Sequence, residues 1–268
     1  MARLSFRNGD LLLHCLDWGG DGPPLIFLHG GSAHAHWWDF VAPSFVDSFR
    51  VLALDLRGHG DSEWAKSYQV EDYESDVGAL VAELGLDRPA LVGHSLGAFV
   101  ALRYALHHPR DLRALAVVDG RASLGEAGSR YLQLLRMFLP AEYRSLEEAA
   151  RRFRLLPRQT SAAREVIEHV ARWSFRHLED GMWAAKFDPE ALTGQEPFDF
   201  RDRLHEIECP VLIARGEKSP VLSARAANEL VGLCRDARGV EIADAYHHVL
   251  LDRPAELTQA LAEFLPRA

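Results

Sequence analysis

Ala90-Leu91-Val92-Gly93-His94-Ser95-Leu96-Gly97-Ala98-Phe99-Val100 runs from a short apolar segment directly into a helical pattern. Ala90-Leu91-Val92 is too short for a helix and apolar throughout, as a strand covered on both faces is. The pattern from Ser95 to His107 is helical, and it stops before Pro109, which cannot continue a regular helix. Between the two lies Gly93-His94-Ser95-Leu96-Gly97. A Gly-x-Ser-x-Gly string is weak on its own. Set between a strand and a helix, it is the sharp turn that lifts a serine hydroxyl clear of a sheet edge. The next N–H, that of Leu96, then points at the oxygen that gains charge when the serine attacks a carbonyl. Ser95 is therefore the candidate nucleophile and Leu96 a candidate oxyanion donor. The competing reading is a glycine turn holding a passive serine, and the neighbouring motifs weigh against it.

Working outward, Leu25-Ile26-Phe27-Leu28, Val51-Leu52-Ala53-Leu54 and Leu115-Ala116-Val117-Val118 are further short buried strands. Leu4 to Arg7 and Leu11 to Asp17 flank Asn8-Gly9, a hairpin signal. Asp72 to Leu84 reads as a helix closed by Gly85. Alternation of this kind predicts a mostly parallel sheet with helices on both faces. From about Arg121 to Ile207 the rhythm breaks, with no convincing strand and several helical patterns. Ser145-Leu146-Glu147-Glu148 opens one, and Val166, Ile167, Val170 and Trp173 repeat at helical spacing in another. This stretch holds Tyr131, Met137, Phe138, Tyr143, Phe153, Trp173, Phe175, Met182, Trp183 and Phe187. Most such side chains pack a core, but an insert so composed could roof an apolar pocket that favours acyl or aromatic groups. Strands resume at Val211-Leu212-Ile213-Ala214 and Val240-Glu241-Ile242, and Pro254 to Leu265 closes the chain as a helix.

The formal net charge of -9 is spread without long single-sign runs. That argues against sequence-independent binding to nucleic acid or to an anionic membrane, which needs a basic face. No apolar run spans a bilayer, and the N-terminus lacks the apolar stretch of a signal peptide. Cys15, Cys209 and Cys234 are odd in number and far apart, as free thiols in a reducing cytoplasm would be. A cytoplasmic location is the expectation. Nothing in the sequence sets the oligomeric state.

Three more motifs join the elbow in order along the chain. His29-Gly30-Gly31-Ser32 follows one strand, Asp55-Leu56-Arg57-Gly58-His59-Gly60-Asp61-Ser62 follows the next, and His247 precedes Asp252-Arg253-Pro254. With these, nearly the whole chain resembles the α/β-hydrolase superfamily. The resemblance implies an eight-stranded, mostly parallel sheet with a helical cap inserted after the sixth strand. Residues 1–120 and 208–268 would form the core and 121–207 the cap. It implies that Gly31 supplies the second oxyanion N–H, and that the Asp55 to Ser62 segment is structural. It also implies a histidine base five residues before the aspartate of Asp-Arg-Pro. That spacing selects His247 over His248, although Tyr246 stands where a glycine is usual. Trp37 and Trp183 are the candidate substrate contacts. His34-Ala35-His36 offers metal-ligand types, but spacing reveals no third ligand.

The acid departs from the pattern. Many relatives carry it in the loop after the seventh strand, here Arg215-Gly216-Glu217-Lys218-Ser219-Pro220-Val221, and Pro220 occupies its position. Asp119, at the end of the sixth strand, is the preferred substitute, since some superfamily members place their acid there. Glu217 is the other. The implied function is hydrolysis of a carboxylic ester or lactone on a small apolar or acyl substrate, with no cofactor and no metal. Serine at the elbow disfavours haloalkane dehalogenase and epoxide hydrolase chemistry, because those relatives use an aspartate nucleophile. Thioesterase, carbon–carbon hydrolase and perhydrolase activities use the same machinery, and a weakly catalytic ligand receptor would keep the same fold.

Overall fold

Asn8 and Leu11 face each other across a two-residue turn, and Gly9 adopts a φ of +59° there. The turn joins β1 (Ala2–Asn8) to β2 (Leu11–Gly19) as an antiparallel hairpin. In this computed structural model, which describes residues 1–136 and 142–265, six more strands complete one sheet. They are β3 (Pro24–Leu28), β4 (Arg50–Asp55), β5 (Ala90–His94), β6 (Ala114–Val118), β7 (Val211–Gly216) and β8 (Ala237–Ile242). Their spatial order is β1-β2-β4-β3-β5-β6-β7-β8. The β1–β2 and β2–β4 pairings are antiparallel and all the others are parallel. The expected eight-stranded, mostly parallel sheet is thus present. β5 and β6 are buried along their whole length, as the apolar run of β6 and the Ala90-Leu91-Val92 start of β5 require.

Helices cover both faces. α1 (Val70–Glu83) opens at Gln69, whose side chain and that of Asp72 cap each other's backbone N–H, and it ends at Gly85 with a φ of +59°. α2 (Leu96–His107) leaves the elbow and packs on β3, β5 and β6. One apolar core lies on the side of α1 and α2, and a second lies under Trp37, Trp38 and the C-terminal helix.

The segment between β6 and β7 holds α3 (Glu126–Arg136), α4 (Leu146–Arg152), α5 (Arg164–Trp173) and α6 (Glu190–Thr193). Ser145 caps α4 through Glu148 N, while the Glu148 carboxylate reaches back to Arg144 N, one residue beyond the expected partner. Contrary to the expectation of helices alone, this segment also forms strands. Glu142–Tyr143, Trp183–Ala185 and Phe175–His177 make a small antiparallel sheet, and Phe198–Asp199 pairs with Ser123–Leu124. Each is two or three residues long, too short to leave a two-residue periodicity in the sequence. Met137, Phe138 and the side chain of Tyr131 lie outside the described residues. Beyond the segment come α7 (Ala224–Leu233), α8 (Val249–Asp252) and α9 (Pro254–Phe264). Among the described residues no helix is long and apolar enough to cross a membrane.

Candidate active site

Ser95 sits at φ +52° and ψ −110°, outside the regions a serine ordinarily occupies. The glycines around it show why the chain accepts this. A Cβ on Gly93 would stand 2.2 Å from Gly97 O, and one on Gly97 would stand 2.3 Å from Leu28 O. Strand, elbow and helix are therefore in backbone contact, and Gly97 N donates to His29 O at 3.0 Å. The Ser95 side chain does not cap α2, and the residue is only partly buried. Leu96 is the first helical residue, so its N–H belongs to the turn that lacks partners within the helix. Among the described residues the Gly31 N–H donates to no protein acceptor.

His247 follows β8 in a loop, and its Nδ1 lies 2.7 Å from Asp119 Oδ2. Asp119 ends β6 at φ +45° and is fully buried. Its carboxylate also accepts Gly216 N on Oδ1 at 2.9 Å and Ser219 Oγ on Oδ2 at 2.5 Å. Three donors hold it against the cost of burying a charge. The loop after β7, which carries Pro220 rather than a carboxylate at that position, thus supplies donors to the carboxylate at the end of the neighbouring strand. Glu217 faces elsewhere and accepts Asp244 N at 2.8 Å.

Sequence reading missed the residues that hold the His247 loop. His94, inside the elbow, donates Nε2–H to His247 O at 2.9 Å, and burial pushes its pKa well below the ordinary histidine range. Asp252 Oδ2 accepts Tyr246 N at 2.7 Å, while Oδ1 accepts Ser161 N, Ala162 N and the Thr160 hydroxyl. His248 donates to Pro157 O at 2.8 Å, and burial lowers its pKa to about 3, with neighbouring His247 opposing its charge as well. The only sequence signals for these roles were adjacency to Ser95 and membership in Asp-Arg-Pro.

The other motifs brace the site. His29 donates Nδ1–H to Gly30 O and accepts Leu56 N on Nε2, remaining neutral because burial lowers its pKa to about 3. Asp55 accepts His14 Nδ1, Ala35 N and Asp61 N, and a Cβ on Gly60 would stand 2.2 Å from it. Arg57 makes a buried bidentate pair with Asp76 at 2.7 Å for both bonds.

A cavity of about 1020 Å³ lies between the insert and the loops after β3. Its walls include Ser32, next to Gly31, and Trp37, whose ring stands edge-on to His248 at 5.4 Å. Ser95 and His247 are not among its lining residues, so the cavity does not enclose them. Tyr143, Phe153, Phe175 and Phe187 line it, but so do Arg152, Arg154, Arg158 and Arg176. The expected apolar pocket is therefore only part of what is there. Trp183 does not line it, although Ala184 and Ala185 do. Its ring stands edge-on to the exposed His177 at 5.2 Å and packs against the small insert core.

The His-Ala-His motif acquires partners through the fold. His36 Nδ1 and His169 Nε2 both meet Asp39 Oδ2, at 2.9 and 2.7 Å. These three could together offer a metal ion one atom each, a grouping invisible in sequence because His169 belongs to α5. His34 instead bonds Val170 O and Ser174 Oγ, and burial lowers its pKa to about 4.

Known proteins share both sequence and architecture with this chain. The esterase Rv0045c of Mycobacterium tuberculosis is 30% identical over 264 residues, covering 92% of this chain and 84% of that protein. A fluoroacetate dehalogenase from a Burkholderia species is 38% identical over 117 residues, 41% of this chain and 38% of that protein. The crystal structure of E-2-(acetamidomethylene)succinate hydrolase superposes with a TM-score of 0.87 over 98% of both chains, at 24% identity, a likeness of fold. A family model described as the alpha/beta hydrolase fold matches residues 23–254, from the strand before His29 to the proline after Asp252-Arg253. With its sheet order, its serine elbow and that match in agreement, the chain belongs to the alpha/beta hydrolase fold family.

Proposed function

We propose that the protein is a serine hydrolase that cleaves a carboxylic ester or lactone through an acyl-enzyme on Ser95. The observation that carries this reading is the buried Asp119–His247 pair at 2.7 Å beside a strained serine elbow. Asp119 accepts Nδ1–H and so keeps Nε2 as the basic nitrogen of His247. His247 takes the Ser95 proton as Oγ attacks the acyl carbon. The N–H groups of Gly31 and Leu96 receive the negative charge on the carbonyl oxygen. When the tetrahedral intermediate collapses, the acyl C–O bond breaks and His247 returns the proton to the leaving alkoxide. Water, activated by the same imidazole, then releases the acid. Residues 121–207 act as a cap over the pocket, and the similarity to an esterase over most of the chain supports the class.

A fluorophosphonate probe together with turnover of a short p-nitrophenyl ester tests this. Wild type is expected to be labelled on Ser95 and to turn over the ester, and folded Ser95→Ala to do neither. Undiminished turnover by that variant would refute the assignment.

A further inference from the structure

The cavity beside the site carries a charge opposite to that of the protein. The chain has a formal net charge of -9, yet the lining holds Arg152, Arg154, Arg158 and Arg176 against a single carboxylate, Glu142. We propose that the substrate bears a carboxylate on its acyl portion, remote from the scissile bond, and that these arginines select it; this rests on the Ser95 hydrolase reading.

The arginines are not consumed by internal pairing. Arg152 meets Glu148 at 3.2 Å across the α4 surface, a contact between solvent-reached groups that is worth little. Arg154 donates through Nη1 to the backbone carbonyls of Arg151 and Phe153, leaving its other N–H groups. Arg176 lies over the exposed Trp64 ring, 5.0 Å from its centroid, an arrangement that orients the guanidinium without neutralising it. Arg158 makes no ion pair among the described residues. A guanidinium presents a planar fork of donors that matches a carboxylate.

The layout gives the substrate a direction. Ser32 and Trp37 border the serine and histidine loops, whereas all four arginines come from the insert. All four arginines are exposed to solvent, so their attraction acts over the open mouth of the cavity and is one that salt screens. A volume of about 1020 Å³ leaves room for an acyl chain well beyond acetyl. The scissile carbonyl would lie at Ser95 with the distal carboxylate toward Arg158 and Arg176, and hydrolysis would release a dicarboxylate.

The test compares mono-4-nitrophenyl glutarate with the matching neutral glutaramate ester, following nitrophenol release at low and high salt. The acid is expected to show a kcat/KM higher by about tenfold, shrinking toward parity near ~0.5 M NaCl. The double variant Arg158→Gln, Arg176→Gln is expected to bring the two esters to the same kcat/KM. Equal rates in wild type, with Ser95 still labelled by fluorophosphonate, overturn the proposal and leave the hydrolase reading standing. So does a preference that neither salt nor the double variant moves. Absence of both labelling and turnover defeats the hydrolase reading, and this proposal with it.

Discussion

Asp119 takes its place through backbone as much as through side chain. Its N–H donates to Ala214 O at 2.7 Å, its φ of +45° swings the carboxylate toward β7, and Gly216 and Ser219 then hold it. A neutral amide at this position would leave the His247 tautomer unspecified. Asp119→Asn is therefore expected to lower kcat by ~10³ to 10⁴, whereas Glu217→Gln, whose carboxylate binds only a loop N–H, costs little. Steady-state kinetics on the folded variants decides between them, and a severe Glu217 variant beside a mild Asp119 one would reverse the assignment of the acid. The sequence could propose Asp119 because Pro220 removes the usual candidate. It could not show the Ser219 hydroxyl reaching to the end of the neighbouring strand, since that bond joins residues a hundred positions apart.

At the level of elements, the elbow was legible because its constraints are local. Gly93, Gly97 and the apolar strand before them are all within one short stretch, and each glycine answers a backbone contact. Gly97→Ala would push a methyl into Leu28 O and His29 O, neither of which can yield without moving β3. Its melting temperature is expected to drop on the order of 5 °C or more, with loss of turnover. Gly78→Ala, mid-helix in α1 with open space at the Cβ position, is the matched control, expected to be neutral or slightly stabilising. Differential scanning calorimetry on both separates local packing from a general intolerance of alanine, and equal melting temperatures would contradict the backbone-contact argument. The insert was less legible for the converse reason. Its short strands pair only through distant partners, and the packing of Trp183 against His177 and the small core around Tyr143 and Phe175 depends on those pairings.

Over the whole molecule, buried neutral histidines set the response to acid. Burial lowers His29 and His248 to about 3, and His34 and His59 to about 4. In the unfolded chain these groups would titrate near ~6.5. As pH falls below that value the unfolded state takes up protons that the native state refuses, so stability present above ~6.5 is lost progressively toward pH 4 and 3. Thermal melts are expected to shift downward steadily from pH 7 to 4.5, and a flat profile would show that these side chains are not neutral in the fold. A different consequence follows from Asp252. One of its oxygens fixes the backbone ahead of His247 and the other fixes residues 160–162 of the insert, so a single carboxylate reports on both. Through that shared carboxylate, order in residues 160–162 and order in the backbone just before His247 favour each other. Amide exchange at 160–162 should slow when Ser95 is acylated by a stable inhibitor, and Asp252→Asn should abolish that slowing. Under the proposed mechanism, the order of the His247 loop would then report whether the space beneath the insert is filled.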